Sequence, residues 1–162
     1  MADGHWSIAA EDLQRLDGLL TSFLAESRLR CALLLDRTGR FLTAAGETGE
    51  LDPTTFASLA AADFAASDQL AQLLGEADFS SLYHAGERQS MLLADVGGQA
   101  ILAAIFDDRS TLGLVRLQMR ALLPQVTAVF AEMGDRAPAP GGPLDPTWLA
   151  AAADEIDRLF NG

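Results

Sequence analysis

Apolar residues along the chain follow two different periods, and the period changes at turn-forming residues. Three segments carry apolar residues three or four positions apart, the spacing of one helix face: residues 8–27, 52–75 and 111–133. Five shorter apolar runs are separated by these helices or by glycine-containing breaks: residues 31–35, 41–45, 79–85, 89–96 and 99–106. The pattern predicts the order helix, two strands, helix, three strands, helix.

Two of the predicted strands show no polar alternation, which indicates that both of their faces are buried. These are residues 31–35 and 100–106, and we expect them at the centre of the sheet. Residues 41–45 and 79–85 carry more polar side chains and should form the edges. Because the breaks between the last three strands are short, those strands should form an antiparallel meander. The sequence thus predicts an α/β fold of the α+β type, with a five-stranded antiparallel sheet in the order 2-1-5-4-3.

The helix predicted over residues 52–75 has clear start and stop signals. Asp52 can cap its first amides, Pro53 suits the first helical position, and Gly75 can adopt the left-handed conformation that ends a helix. At 100° per residue one side of this helix is mostly apolar, and we expect it to pack on the core. That side consists of Phe56, Leu59, Asp63, Ala66, Leu70, Leu73 and Leu74.

The opposite side of the same helix is unusually rich in small residues for a solvent-exposed surface. It consists of Ser58, Ala61, Ala65, Asp68, Gln69 and Gln72. One interpretation is that alanine is used here because it is the best helix former. The other is that small side chains allow a second backbone to approach, which makes this side a docking surface for another copy of the helix and for a partner protein.

The C-terminal third of the chain contains a helix, a linker and a short amphipathic segment. Pro124 lies inside the helix predicted to end at Met133, and we expect it to bend or split that helix. Residues 134–145 are rich in proline and glycine, so residues 1–133 should form one domain, followed by a linker and a helix over residues 146–162. The apolar stripe of that helix includes Trp148, Ile156, Leu159 and Phe160, and it could pack on its own domain or on a partner.

Composition and charge exclude several classes of function. The net charge of -12 argues against binding to nucleic acid or to an anionic membrane surface. The single cysteine, Cys31, rules out an intrachain disulfide, and no apolar run is long enough to insert in a membrane. We therefore expect a cytoplasmic protein, with concentration at a cell pole as one option.

The sequence predicts no catalytic residue, no metal site and no cofactor. His5 and His84 are far apart and lack accompanying ligands with metal-binding spacing. The adjacent carboxylates Asp107 and Asp108 precede a helix, where they are typical caps. No GxxxxGK[ST] loop is present, so the chain should not itself bind GTP.

Several runs of sequence resemble the Roadblock (dynein light-chain) family. They are LLLDRTGRFLTAAGE, ASLAAADFAASDQLAQLLGE, HAGE at residues 84–87, IFDDRSTLGLVRL at residues 105–117 and the tail EIDRLFNG. In detail they are similar to the bacterial members that regulate a Ras-like GTPase in cell polarity and gliding motility. The resemblance implies the Roadblock fold, with one helix on one face of the sheet and two on the other.

The resemblance also implies partners and the residues that bind them. Members of this kind are homodimers in which the third strands of two copies pair and the middle helices lie side by side, and the GTP-bound GTPase docks across that surface. The matching dimer-interface residues are Phe64, Ser80, Ser81, Leu82, Tyr83, His84 and Ala85. The matching GTPase-binding residues are Ala61, Ala65, Asp68, Gln69 and Gln72, with a second contact from Trp148, Ile156, Leu159 and Phe160.

By the same resemblance, the chain is not an enzyme but an activating protein for its partner GTPase. Such activators commonly insert an arginine into the GTPase site. The loop candidates are Arg37, Arg88 and Arg109, but each also suits a turn or a cap, and the predicted docking side carries no arginine. The resemblance favours a mechanism in which the dimer orders the GTPase switch region without an arginine finger. A scaffold that binds the GTPase without activating it, and a small-molecule sensor domain, remain as alternatives.

Overall fold

The elements of the structure follow the predicted order. The computed structural model describes residues 8–136 and 156–160. Its helices and strands are α1 (Ala10–Ser27), β1 (Cys31–Asp36), β2 (Phe41–Gly46), α2 (Pro53–Leu73), β3 (Ser81–Ala85), β4 (Ser90–Val96), β5 (Ala100–Phe106) and α3 (Leu112–Arg136).

The strands form one antiparallel sheet in the order β2-β1-β5-β4-β3, which confirms the predicted order. The two central strands, β1 and β5, pair from Cys31 with Ile105 to Asp36 with Ala100. Nearly all of their side chains are buried on both faces, as the absence of polar alternation predicted. The two edges are β2 and β3.

Helices cover both faces of the sheet. On one face, Leu33, Ala103 and Leu93 lie side by side in β1, β5 and β4 and pack with Phe64 of α2. On the other face, the Thr43 hydroxyl of β2 donates a hydrogen bond to the Asp17 carboxylate of α1. Helix α3 lies beside α1, since residues of both line one shallow groove. The sheet thus has one helix on one face and two on the other.

The ends of α2 agree with the signals read from the sequence. The Asp52 carboxylate accepts hydrogen bonds from the Thr54 amide at 3.3 Å and from the Thr55 hydroxyl at 2.6 Å, and Pro53 is the first helical residue. After the helix, Gly75 has φ +81°, a conformation that residues with a Cβ rarely adopt. For α1, Ala9 occupies the cap position without a side-chain bond.

Pro124 does not split α3, which runs without interruption from Leu112 to Arg136. Pro124 lies on the exposed side of the helix, where water can hydrate the carbonyl group that lacks its helical donor. Side chains also bond to two carbonyl groups in the turn before Pro124: Gln125 Nε2 donates to Ala121 at 3.2 Å, and the Thr127 hydroxyl donates to Leu123 at 2.7 Å. Of the two expected effects of Pro124, the split of the helix is therefore wrong.

We expect Pro124→Ala to stabilise the protein. The substitution restores one main-chain hydrogen bond in an exposed position, and alanine is favoured over proline inside a helix by about 3 kcal/mol. Urea unfolding should show a gain of about 1–3 kcal/mol, because part of that difference is already relieved by hydration. An unchanged or lower unfolding free energy would mean that the helix depends on the proline ring.

The C-terminal residues form a separate unit, residues 131–162. Its described parts are the end of α3 and a helical segment at residues 156–160, in which Ile156, Leu159 and Phe160 are exposed. Because α3 continues to Arg136, the first three residues of the predicted linker are helical. Trp148 lies outside the described residues. Within the described ranges, no helix is both long and apolar enough to cross a membrane.

Candidate interaction surface

Helix α2 is rotated relative to the orientation that its apolar pattern predicted. The side that packs on the sheet consists of Ala57, Ala60, Ala61, Phe64, Ser67 and Ala71. The leucines expected in the core are exposed: Leu59 by 67%, Leu70 by 56% and Leu73 by 82%. At 100° per residue these leucines lie about 130° around the helix from the buried side. The predicted core side of α2 is therefore wrong.

Close packing explains why small residues face the sheet. The turn between β1 and β2 passes directly against α2, so that a Cβ at Gly39 would lie 3.2 Å from the Ser58 Cα atom and 3.5 Å from the Ala61 Cβ atom. A leucine on this side would hold the helix away from the sheet. Phe64 is the one large anchor, and its side chain is fully buried.

Two of the predicted binding residues are consequently not available at the surface. Ala61 is buried against the β1–β2 turn, and Phe64 lies in the core of the single chain, so neither side chain is placed to contact a partner as expected. Both side chains were expected on the exposed surface of α2, but they lie on the side that faces the sheet. Ala65, Gln69 and Gln72 are exposed on α2, as expected.

Asp68, also predicted to bind the GTPase, forms an ion pair within the chain. Its Oδ2 atom lies 3.3 Å from Nη1 of Arg37, in the β1–β2 turn. The Nη2 atom of the same guanidinium lies 2.8 Å from Asp95 Oδ1 in β4, and its central carbon lies 5.1 Å from the centre of the Phe64 ring. One arginine thus joins the turn, α2 and β4.

Strand β3 is an edge strand next to the exposed leucines. It pairs with β4 along Ser81–Ala85, and the preceding Ser80 carbonyl group accepts a bond from the Asp95 amide. It is the last strand of the sheet, and within the described residues no strand pairs with its outer edge. Tyr83 lies on the α1 and α3 face of the sheet, where its ring stacks on Phe106 at 6.5 Å between centroids.

On the α2 face of β3, one polar contact connects the strand to the helix. His84 Nε2 lies 2.6 Å from Asp63 Oδ2. Asp63 belongs to the same side of α2 as Leu59 and Leu70, so this contact shows that the leucines lie on the flank of α2 nearer β3. Arg37 and Asp68 mark the opposite flank.

We define the leucine stripe as Leu59, Ala66, Leu70 and Leu73, all exposed. Apolar side chains of the neighbouring strands are partly exposed next to α2, including Leu82, Met91 and Ile105. A stripe of this kind on a monomer surface, beside an open strand edge, is typical of a protein interface.

The loop arginines differ in how they are held. Arg37 forms ion pairs with Asp68 and Asp95. Arg109 donates from Nε to Asp107 Oδ1 at 3.1 Å, and this bond lowers the pKa of the Asp107 carboxyl group and raises the pKa of the Arg109 guanidinium. Arg88 is exposed in the β3–β4 turn. Helix α2 contains no Arg, Lys or His, so its exposed surface presents no cation of its own.

Comparison with known proteins identifies the family. The Roadblock/LC7 domain model matches residues 16–106. The chain belongs to the Roadblock/LC7 family. MglB from Myxococcus xanthus is 32% identical, with a TM-score of 0.73 over 76% of this chain and 92% of that one. The gliding protein MglB from Thermus thermophilus is 33% identical, with a TM-score of 0.69 over 75% and 92%.

A more distant structure shows the same fold without bearing on function. The Roadblock/LC7 domain from Streptomyces avermitilis is 18% identical, with a TM-score of 0.64 over 71% of this chain and 97% of that one. The sequences of curated proteins gave no match. The Roadblock fold predicted from the sequence is confirmed.

Sequence reasoning missed the polar contacts that hold α2 in this Roadblock chain. Asp95 was read only as part of a strand, and Arg37 as a turn residue in contact with water. Asp63 did carry a signal, since an acid within an otherwise apolar helix side indicates either exposure or a specific partner. Within the described residues no group of three or more His, Cys, Asp or Glu side chains could hold a metal ion.

Proposed function

We propose that this Roadblock protein is a homodimeric regulator of a Ras-like bacterial GTPase of the MglA type, and that it stimulates GTP hydrolysis in control of cell polarity or gliding motility. The observation that carries the proposal is the open β3 edge beside the exposed leucine stripe of α2, in a chain 32% identical to Myxococcus MglB. An edge strand and an adjacent apolar helix side supply the two kinds of contact that a sheet-extending dimer uses.

In the proposed dimer, the β3 strands of two copies pair through their outer edges. The residues involved are Ser80, Ser81, Leu82, Tyr83, His84 and Ala85, and the leucine stripe takes the place that the sequence assigned to Phe64. Because the stripe lies on the β3 flank of each α2, pairing of the strands brings the two stripes together. Each leucine buried in this way contributes about 1.5–3 kcal/mol at most.

The GTPase, in its GTP-bound state, docks on the exposed side of α2 away from the leucines. Ala65, Gln69 and Gln72 lie there, and their short or uncharged side chains allow close approach and hydrogen bonding. The exposed Ile156, Leu159 and Phe160 support a second contact from the C-terminal segment, together with Trp148. Asp68 acts through its ion pair with Arg37 rather than by direct contact.

The mechanism we propose supplies no catalytic residue from this protein. Arg37 is neutralised by two carboxylates and shielded by Phe64, and Arg109 is bound to Asp107. An arginine finger must leave its own protein to reach the phosphoryl group, which these contacts oppose. The dimer instead holds the switch segments of the GTPase in the geometry that hydrolysis requires.

Single-turnover GTP hydrolysis tests the proposal directly. The Ras-like GTPase encoded in the same organism, loaded with GTP, should hydrolyse it at least about tenfold faster with saturating protein than without it. Arg109→Ala should retain this stimulation within about twofold, because its guanidinium is not used in the reaction. If the Arg109→Ala variant still bound the GTPase but no longer stimulated hydrolysis, Arg109 would act as an arginine finger.

The same assay separates activation from a scaffold role. Binding of the GTP-loaded form without faster hydrolysis would assign the protein to localisation of the GTPase. Absence of binding would remove this GTPase as the partner. The three outcomes are distinguished by measuring binding and turnover on the same samples.

A further inference from the structure

The rotation of α2 exposes leucines although a roll of the helix would bury them. Its sheet-facing side is built from alanine and serine around one large residue, Phe64. The apolar period of the helix favours a different rotation, in which the leucine stripe faces the sheet. The observed rotation buries Phe64 and lets small residues approach the sheet, but it leaves the leucines in water, so contacts that oppose a roll of the helix contribute to the rotation as well.

On one flank, Arg37 holds the helix to the body of the domain. Its guanidinium connects Asp68 of α2 to Asp95 of β4, while stacking on Phe64. The three charged side chains are only 23–30% exposed, so their interaction is partly shielded from water. A roll of α2 that buried the leucines would carry Asp68 away from this guanidinium.

On the other flank, His84 holds the helix to β3. Its Nε2 atom lies 2.6 Å from Asp63, which is one turn from Leu59 on the same side of α2. A roll toward the sheet would carry the Asp63 carboxylate into the apolar layer with the leucines. Burial of an unpaired carboxylate is strongly unfavourable, so this contact opposes the roll in the same direction.

We propose that Arg37 and His84 are positioning residues that fix the rotation of α2, and thereby display the leucine stripe to a second copy of this chain. Arg37 lies outside the proposed dimer interface, and His84, whose strand takes part in that interface, acts in this role through its contact with Asp63 of its own chain. The leucine stripe stays exposed because two polar contacts, one on each flank, add to the burial of Phe64 and oppose a roll of the helix. The consequence for dimerisation rests on the proposed function, whereas the rotation itself does not.

The test uses cysteine reactivity as a measure of rotation in the full chain. Ser67→Cys places a nearly isosteric thiol on the sheet-facing side of α2, where Ser67 is buried. The native Cys31 lies in the central strand, and its burial raises the pKa of its thiol, so it reports global opening in the same molecule. Alkylation of the two thiols is followed separately by peptide mass spectrometry, and the dimer dissociation constant is followed by sedimentation.

Arg37→Gln and His84→Ala are each introduced into the Ser67→Cys protein. We expect either change to raise the alkylation rate at position 67 about tenfold, to leave the rate at Cys31 unchanged, and to weaken the dimer about tenfold. Arg40→Gln is the matched control for Arg37→Gln, because Arg40 is an exposed arginine of the same turn, and within the described residues no hydrogen bond or ion pair joins its side chain to α2. It should change none of the three quantities.

Two outcomes would overturn the proposal. Equal acceleration at position 67 and at Cys31 would show a general loss of stability rather than a roll. A weaker dimer with an unchanged rate at position 67 would show that Arg37 or His84 affects the dimer without fixing the rotation of α2. If the parent protein is monomeric at every concentration, the proposed dimer is wrong, but the two alkylation rates still decide whether these residues fix α2.

Discussion

Leu59→Arg should convert the proposed dimer to a monomer without unfolding the chain. Leu59 is 67% exposed in the single chain, so the arginine can remain in water when the protein is monomeric. In the dimer it would lie between two apolar helix sides, where an unpaired charge is costly. The dissociation constant should rise at least about 100-fold, which sedimentation equilibrium measures.

Leu117→Arg supplies the control for this experiment. Leu117 is 64% exposed, nearly the same as Leu59, but it lies on α3 at the other face of the sheet. The substitution adds the same charge to a leucine of the same exposure, so it should leave the dimer intact. A dimer lost equally in both variants would show that added charge, rather than the leucine stripe, controls association.

The sheet could be predicted from the sequence because its signals are local and mutually consistent. Cys31–Leu35 and the run that ends at Phe106 have no polar alternation, so their central positions follow from burial on both faces. Glycine and Asp-Arg-Thr-Gly breaks then leave few ways to connect the strands. The strand order depended on nothing beyond these runs and their short connections.

The orientation of α2 could not be predicted in the same way. An apolar side chain is buried by whichever surface covers it, and periodicity does not tell an internal surface from a partner's surface. Small residues are common on exposed helix surfaces because alanine has a high helix propensity. In α2, however, the contact with the sheet is formed by Ala57, Ala60 and Ala71. The larger leucines were assigned to the core because of their size. In fact it is close approach to the sheet that requires small side chains.

The polar contacts of the candidate site could not be predicted from the sequence for a different reason. Arg37 and Asp68 are 31 residues apart, and His84 and Asp63 are 21 apart. Such pairs depend on how α2 is placed over the sheet, so no local sequence pattern predicts them. Arg37 in particular sits in a good turn sequence, where hydration is the simplest expectation.

In the proposed function, one helix serves both self-association and GTPase docking. The flank nearer β3 carries the leucines, and the opposite flank carries Ala65 and Gln72, so self-association and GTPase docking need not compete for the same side chains. Asp63 and Asp68 separate the two flanks from the buried side. If this division holds, substitutions on the leucine flank should affect dimerisation first, and GTPase regulation only as a consequence.

Phe64→Ala should destabilise the chain more than any of the substitutions described above. The ring is fully buried between α2 and the sheet, and it also supports the guanidinium of Arg37. Removal of a buried phenylalanine typically lowers the free energy of unfolding by about 3–5 kcal/mol. Few other large side chains of α2 reach the sheet, so little can fill the cavity.

This prediction is best measured by urea unfolding in the monomeric Leu59→Arg protein, so that dissociation does not contribute. Leu73→Ala in the same protein is the control, since Leu73 is 82% exposed and its truncation should change the unfolding free energy by less than about 0.5 kcal/mol. If Phe64→Ala left the monomer as stable as Leu73→Ala does, but weakened the dimer in the native background, then Phe64 would belong to the interface as the sequence first suggested. Loss of monomer stability would instead establish that the buried Phe64 ring anchors α2 to the sheet of its own chain.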